Sequence, residues 1–245
     1  MLCQRIESTK PHSKGGWFHA YDKTLPMVTL PKPKPAPPKI NAAAILLAYK
    51  SKRSINELAI KLGVSVDSLQ ALNVEWSETS KAWAFPMFDG DGTMIGIRLR
   101  NETGDKWAVT GSRQGIFLPS KMVTNGNAPK IAFLPEGPTD TAALLTLGFF
   151  AIGRPTCNSG NEMIAQALKR LKIFKVVVVS DNDGIKVTGQ RPGIEGAMKL
   201  KKELKLSSII WMPPAPIKDV REYLNKGGTK QMIESDIRCK VWTKV

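Results

Sequence analysis

The sequence predicts an α/β chain: a central parallel sheet flanked by helices, preceded by a small antiparallel β subdomain and a short helical region. Three observations carry this reading. Two apolar runs, IAFL at 131–134 and VVVV at 176–179, stand either side of an apolar helix-like run, and four successive valines suit a parallel strand buried on both faces. Between 81 and 119, residues instead alternate and are broken by glycine turns, as antiparallel strands are. Finally, a proline- and lysine-rich segment, PKPKPAPPK at 31–39, separates a short N-terminal stretch from everything else.

Composition narrows the class of partner. A chain of 245 residues can bury a full core, as one ordinary domain with smaller attachments. Thirty-six Lys and Arg against 21 Asp and Glu give +15, which calls for a polyanion, nucleic acid ahead of an anionic membrane. The longest apolar stretches, at 42–48 and 144–152, fall well short of the ~20 residues a membrane span needs. No signal peptide is recognisable, and Cys3, Cys157 and Cys239 are odd in number without a CxxC pair. The expected setting is the cytoplasm, with no membrane partner and no disulfide framework.

In chain order, residues 1–40 form an arm and linker. Cys3, His12 and His19 have the chemistry of zinc ligands but a spacing that fits no common site, so scattered polar residues in a small hairpin or loose arm are expected. GGWFHAY reads as a short strand after a glycine turn, and 31–39 as an extended spacer. Residues 41–76 are helical: Ser54 with Glu57 makes a capping box, and SINELAIKLGVSVDSLQALNV gives helix, glycine turn, helix. Such a pair either reads DNA or packs as a connector on a neighbouring body, and the connector is expected.

Residues 77–127 form the basic β subdomain. KAWAFPMFD and GTMIGIRLR are joined by Gly90-Asp91-Gly92, with DKWAVTGSR and GIFLP following. Alternation places Arg98 and Arg100 on the face opposite Ile97 and Leu99, with Lys106 and Arg113 close by. A cationic stripe of this kind suits a phosphate backbone or a triphosphate. Residues 128–230 carry the parallel strands, an amphipathic EMIAQALKRLK helix, a lysine-rich helix at 193–205 and a third strand in SSIIWMP. Lys199, Lys201, Lys202 and Lys205 lie either along a nucleic-acid path or on a solvated face. Residues 231–245 show no pattern.

The chemistry concentrates at strand ends. Glu136 follows the first apolar strand, and Asp181 and Asp183 follow the second, where open α/β sheets bind ligands. Asp181 and Asp183 lean the same way if the extended backbone continues, and Asp140 shares a face with Glu136 if a helix begins near Pro138. Carboxylates converging there repel one another without a cation, and oxygen-only donors suit Mg²⁺ or Mn²⁺.

The pattern hhhhEGxxD, here FLPEGPTD, followed by hhhhxDxD, here VVVVSDND, resembles the Toprim domain shared by primases, topoisomerases and some nucleases. The preceding block, FPMFDGDGTMIGIRLRNETGDKWAVTGSRQGIFLP, is similar to the RNA-polymerase domain of bacterial and phage primases, and the likeness covers roughly 76–228. This resemblance implies a Toprim catalytic domain that makes short RNA primers on single-stranded DNA by metal-dependent nucleotidyl transfer. It implies Glu136, Asp181 and Asp183 as catalytic residues, joined by Asp140 and Asp219 at the metal site; Asp219 comes from IKDVREYL, which resembles a third acidic motif, with Glu222 shifted from the family's further acidic residue. By motif match Arg100 and Lys106 take the family's nucleotide- or template-gripping positions, flanked by Arg98 and Arg113. Glu136 either ligates metal or acts as general base. The implied partners are a single-stranded template, ribonucleoside triphosphates and a separate replicative helicase, since no GxxxxGK[ST] occurs. The family's zinc-binding module has no counterpart, so it is degenerate or missing by truncation. Two alternatives stand beside this: a Toprim nuclease, and a non-catalytic DNA-binding module of a phage, plasmid or mobile element.

Overall fold

The structure is a computed structural model that describes residues 2–3, 7–11, 15–19, 40–49, 53–120, 129–184 and 190–244. The spacer at 31–39 and His12 lie outside the described residues. The chain divides into two units, Met1–Ala36 and Pro37–Val245. In the first, β1 (Leu2–Cys3) and β2 (Trp17–Phe18) pair antiparallel, and the left-handed Gly15 and Gly16 supply the turn expected before the second strand.

The second unit opens with α1 (Ala42–Ala48), α2 (Ile55–Leu62) and α3 (Val66–Ala71). Ser54 caps α2 by accepting the Asn56 N–H, and left-handed Gly63 ends it. The other half of the expected capping box differs: the Glu57 carboxylate accepts from Arg53 Nε, because a guanidinium one turn back competes for it. Leu58, Leu62, Leu69 and Leu72 bury in the core shared with the α/β body, and the Ser65 N–H donates to Thr146 Oγ1. This helix pair is therefore packed on a neighbour.

Four antiparallel strands follow, in the order β3 (Glu75–Ser77), β4 (Ala82–Phe88), β5 (Met94–Asn101) and β6 (Lys106–Ala108). The turn between β4 and β5 is held by Asp89 Oδ1, which accepts from the N–H groups of Asp91 and Thr93. Ile97 and Leu99 bury against Ala42 and Leu46 of α1, which leaves the half-buried Arg98 and Arg100 on the opposite face.

The remaining elements are β7 (Ile131–Leu134), α4 (Gly137–Thr146), α5 (Asn161–Arg170), β8 (Lys175–Val179), α6 (Pro192–Leu204), β9 (Ser207–Trp211), α7 (Val220–Asn225), α8 (Lys230–Arg238) and β10 (Thr243–Lys244). β7, β8 and β9 are parallel, and β10 adds an antiparallel edge beside β9. The valines of β8 divide by period two: Val177 and Val179 join the core that holds α4, α7 and α8, whereas Val176 and Val178 join the one under α5 and α6. Both faces of the sheet are thus covered, as the valine run requires.

The C-terminal stretch that carried no sequence pattern forms α8 and β10. Thr229 caps α8, Ile233 and Ile237 bury, and Trp211 Nε1 donates to Asp236. Two apolar residues and a two-residue strand give too little periodicity to read. Among the described residues no helix is long and apolar enough to cross a membrane.

A hydrogen-bonded seam joins the two sheets. Phe88 of β4 pairs with Ile116, Phe117 pairs with Gly153, and the run 150–154 lies parallel beside β7. At Gly153 an added Cβ would stand 2.2 Å from Thr141 Oγ1 and 3.0 Å from the Gly137 carbonyl. Gly153→Ala is therefore expected to cost about 1–3 kcal/mol through overpacking. Thermal denaturation measures it, and an unchanged melting temperature would show that the seam has slack.

Candidate functional site

Local geometry at the end of β7 explains the Glu-Gly pair. The chain leaves the strand through Pro135 and turns into α4 at Gly137, whose φ of 74° favours glycine. Glu136 is the N-cap residue and sits at the strand's carboxyl end, its backbone paired in parallel with that of Arg154. One cavity of about 340 Å³ opens there. Arg98, Arg100 and Lys106 of the antiparallel sheet line it together with Glu136, Asp140, Asp181 and Asp219.

The acidic residues are not equivalent. Burial, then repulsion from Asp219 and Asp181, pushes the Asp140 carboxyl up to about 8. Its Oδ1 accepts the backbone N–H of Arg221 at 2.9 Å, tying α4 to the start of α7. Asp181 is raised to about 7 by burial and by Glu136, Asp183 and Asp219. Glu136 is raised by burial, against the opposing charge of Arg154. Asp219 caps α7 by accepting the Glu222 N–H at 2.8 Å. Glu222 itself accepts from the Lys218 N–H and pairs with Lys226, so it serves the helix and does not line the cavity.

Asp183 does not line the cavity with Asp181. β8 ends at Val179, and beyond it the Asn182 N–H donates to the Lys218 carbonyl. The Asp183 charge nevertheless reaches Glu136 and Asp181 and raises the pKa of each. Arg113 lies in an adjoining pocket of about 320 Å³ that shares Arg98 and Lys106 with the first. Lys199, Lys201, Lys202 and Lys205 lie outside both. Among the described residues no three carboxylate, histidine or cysteine side chains gather into a ready-made metal cage.

Three cations escaped the sequence reading. Arg154 is 1 % exposed; it donates from one terminal nitrogen to the Val179 carbonyl at 2.8 Å and from the other to the Cys157 carbonyl at 3.1 Å. Burial lowers its pKa, and Glu136 and Asp181 help to keep it charged. A lone arginine inside the apolar run FFAIGRPT was the available signal. Lys218 and Arg221 also line the cavity, flanking Asp219 in a motif that draws attention to its acid.

No family model and no curated protein matches the sequence. Solved structures do. A DnaG primase catalytic domain bound to single-stranded DNA matches with a TM-score of 0.61 at 13% identity, covering 80% of this chain and 76% of that one. The RNA-polymerase domain of Mycobacterium tuberculosis primase DnaG gives 0.56 at 14%, covering 78% and 80%. A bacteriophage T7 complex, in which lagging-strand DNA polymerase interacts with primase domains of two gp4 subunits in the presence of an RNA/DNA hybrid and dTTP, gives 0.54 at 15%, covering 71% and 87%. The chain has the fold of primase catalytic domains.

The raised carboxyl of Asp140 sets a pH dependence. Unfolded, this group loses its proton near 3.8; folded, it holds it to about 8, so stability falls as pH rises between those values. Asp140→Asn keeps the oxygen that accepts the Arg221 N–H and removes the titration. Its melting temperature in chelator-treated buffer should vary less with pH than that of the parent chain, and parallel pH profiles would contradict the assignment.

Proposed function

We propose that this chain is a primase-type nucleotidyltransferase that joins ribonucleotides on a single-stranded DNA template, with a Toprim acidic edge as its metal site. One observation carries the reading: a single cavity sets that acidic edge against the basic face of the antiparallel sheet, within a primase fold. Acids alone repel phosphate and bases alone offer no metal site, so the pairing suits phosphoryl transfer.

The donor chemistry fits Mg²⁺ or Mn²⁺, because Glu136, Asp181 and Asp183 offer only hard oxygens whose mutual repulsion a divalent cation relieves. Asp140 and Asp219, each with one oxygen already engaged by a backbone N–H, stand behind them with the other. When bound, such ions neutralise charge on the attacking and leaving oxygens. The protein's own groups position the reactants. Arg98, Arg100 and Lys106 hold phosphates of nucleotide and template, and Arg113 extends the grip along the adjoining pocket. A primer 3′-hydroxyl then attacks the α-phosphorus and pyrophosphate leaves. Glu136 either binds metal or receives the hydroxyl proton; its burial, which raises its pKa, suits the second role. Duplex opening is left to a separate helicase.

The deciding assay offers the chain a primed single-stranded DNA, labelled ribonucleotides and Mg²⁺ or Mn²⁺, and scores extension. Extension is expected, and Glu136→Gln should lower it by about 10²-fold or more while DNA binding persists. Degradation of the DNA would favour a nuclease, and binding without either activity a non-catalytic module.

A further inference from the structure

We infer that Arg221 completes, with Arg100 and Lys106, a three-cation clamp for the triphosphate of the incoming nucleotide, an assignment that rests on the primase reading. The Arg221 side chain comes from α7 and lines the same cavity as Arg100 and Lys106, which come from the β-sheet. Its guanidinium is not locked in a tight ion pair. Asp219 Oδ2 stands 4.0 Å away, at the limit of such a contact, and Asp219 Oδ1 is engaged by the Glu222 N–H. The three cations sense one another: burial lowers the pKa of Arg100 and Lys106 and the charge of Arg221 lowers both further, opposed only in part by Asp140 and, at Arg100, by Asp219. Like charges gathered around about 340 Å³ are relieved by an anion of high charge density.

Position selects the triphosphate over the template backbone. Arg98 and Lys106 also line the adjoining pocket with Arg113, a continuous run suited to a polymer. Arg221 lines the cavity that holds Glu136 and Asp181, where the reacting phosphate must sit, and not the adjoining pocket. A planar fork there can hold two phosphate oxygens at once.

The test separates these ligands. Inorganic tripolyphosphate is titrated calorimetrically, and a labelled oligo-dT is titrated by fluorescence anisotropy, against the full chain and its variants. Arg221→Ala removes the side chain but keeps the backbone N–H that binds Asp140, so the helix tie survives; Arg221→Gln takes its place if the alanine variant does not fold. Loss of one charge-assisted contact should weaken tripolyphosphate binding about tenfold, with Arg221→Lys in between and oligo-dT affinity within about twofold of the parent. Unchanged tripolyphosphate affinity overturns the clamp. An equal loss for oligo-dT also overturns it and assigns Arg221 to the template. A parent chain that binds tripolyphosphate through Arg221 yet extends no primer would defeat the primase reading and leave the anion clamp standing.

Discussion

The backbone run 150–154 is the constraint on which the rest depends. On one side it bonds to β7 through Phe133 and Pro135, and on the other to Phe117, which leads back to β4. Buried backbone groups must find partners, and here those partners belong to two different sheets. The run therefore fixes the antiparallel sheet beside the carboxyl end of the parallel one. Without it Arg98 and Arg100 would still share a strand face, but nothing in the strands themselves would bring that face to Glu136. Gly153 permits the approach because a side chain there would collide with Thr141.

The same run delivers Arg154 beneath the acidic edge. A buried guanidinium is costly unless it is paired and hydrogen-bonded. Two carbonyls and the nearby charges of Glu136 and Asp181 meet most of that need, although its Nε finds no partner among the described residues. The edge thus contains a fixed positive charge as well as its carboxylates. Asp140 shows the complementary solution: its carboxyl is held near neutrality by burial and used as a backbone acceptor.

Most of the architecture was legible in the chain. Four valines announced a doubly covered strand, alternation separated Arg98 and Arg100 from Ile97 and Leu99, and glycines marked the turns. These signals are local, with a period set by the backbone, so they survive in sequence. What failed to show were features of convergence. Which of Asp181 and Asp183 lines the cavity depends on the path beyond β8, where the Asn182 N–H meets the Lys218 carbonyl from 36 residues away. Arg154, Lys218 and Arg221 become site residues only because separate segments meet. α8 and β10 stayed hidden because a short helix with two buried isoleucines resembles a polar tail.

The division of the valines in β8 has a mechanical consequence. The sheet acts as a partition: α4, α7 and the α2–α3 pair share one side, whereas α5 and α6 occupy the other. Asn225 at the end of α7 donates to the Leu62 carbonyl at the end of α2, so α7 and the helical hairpin are tied together on that side. Between that side and the residues under α5 and α6 lies strand β8, its four valines fully buried. The cavity draws Asp140 from α4 and Arg221 from α7, both on the first side of that partition.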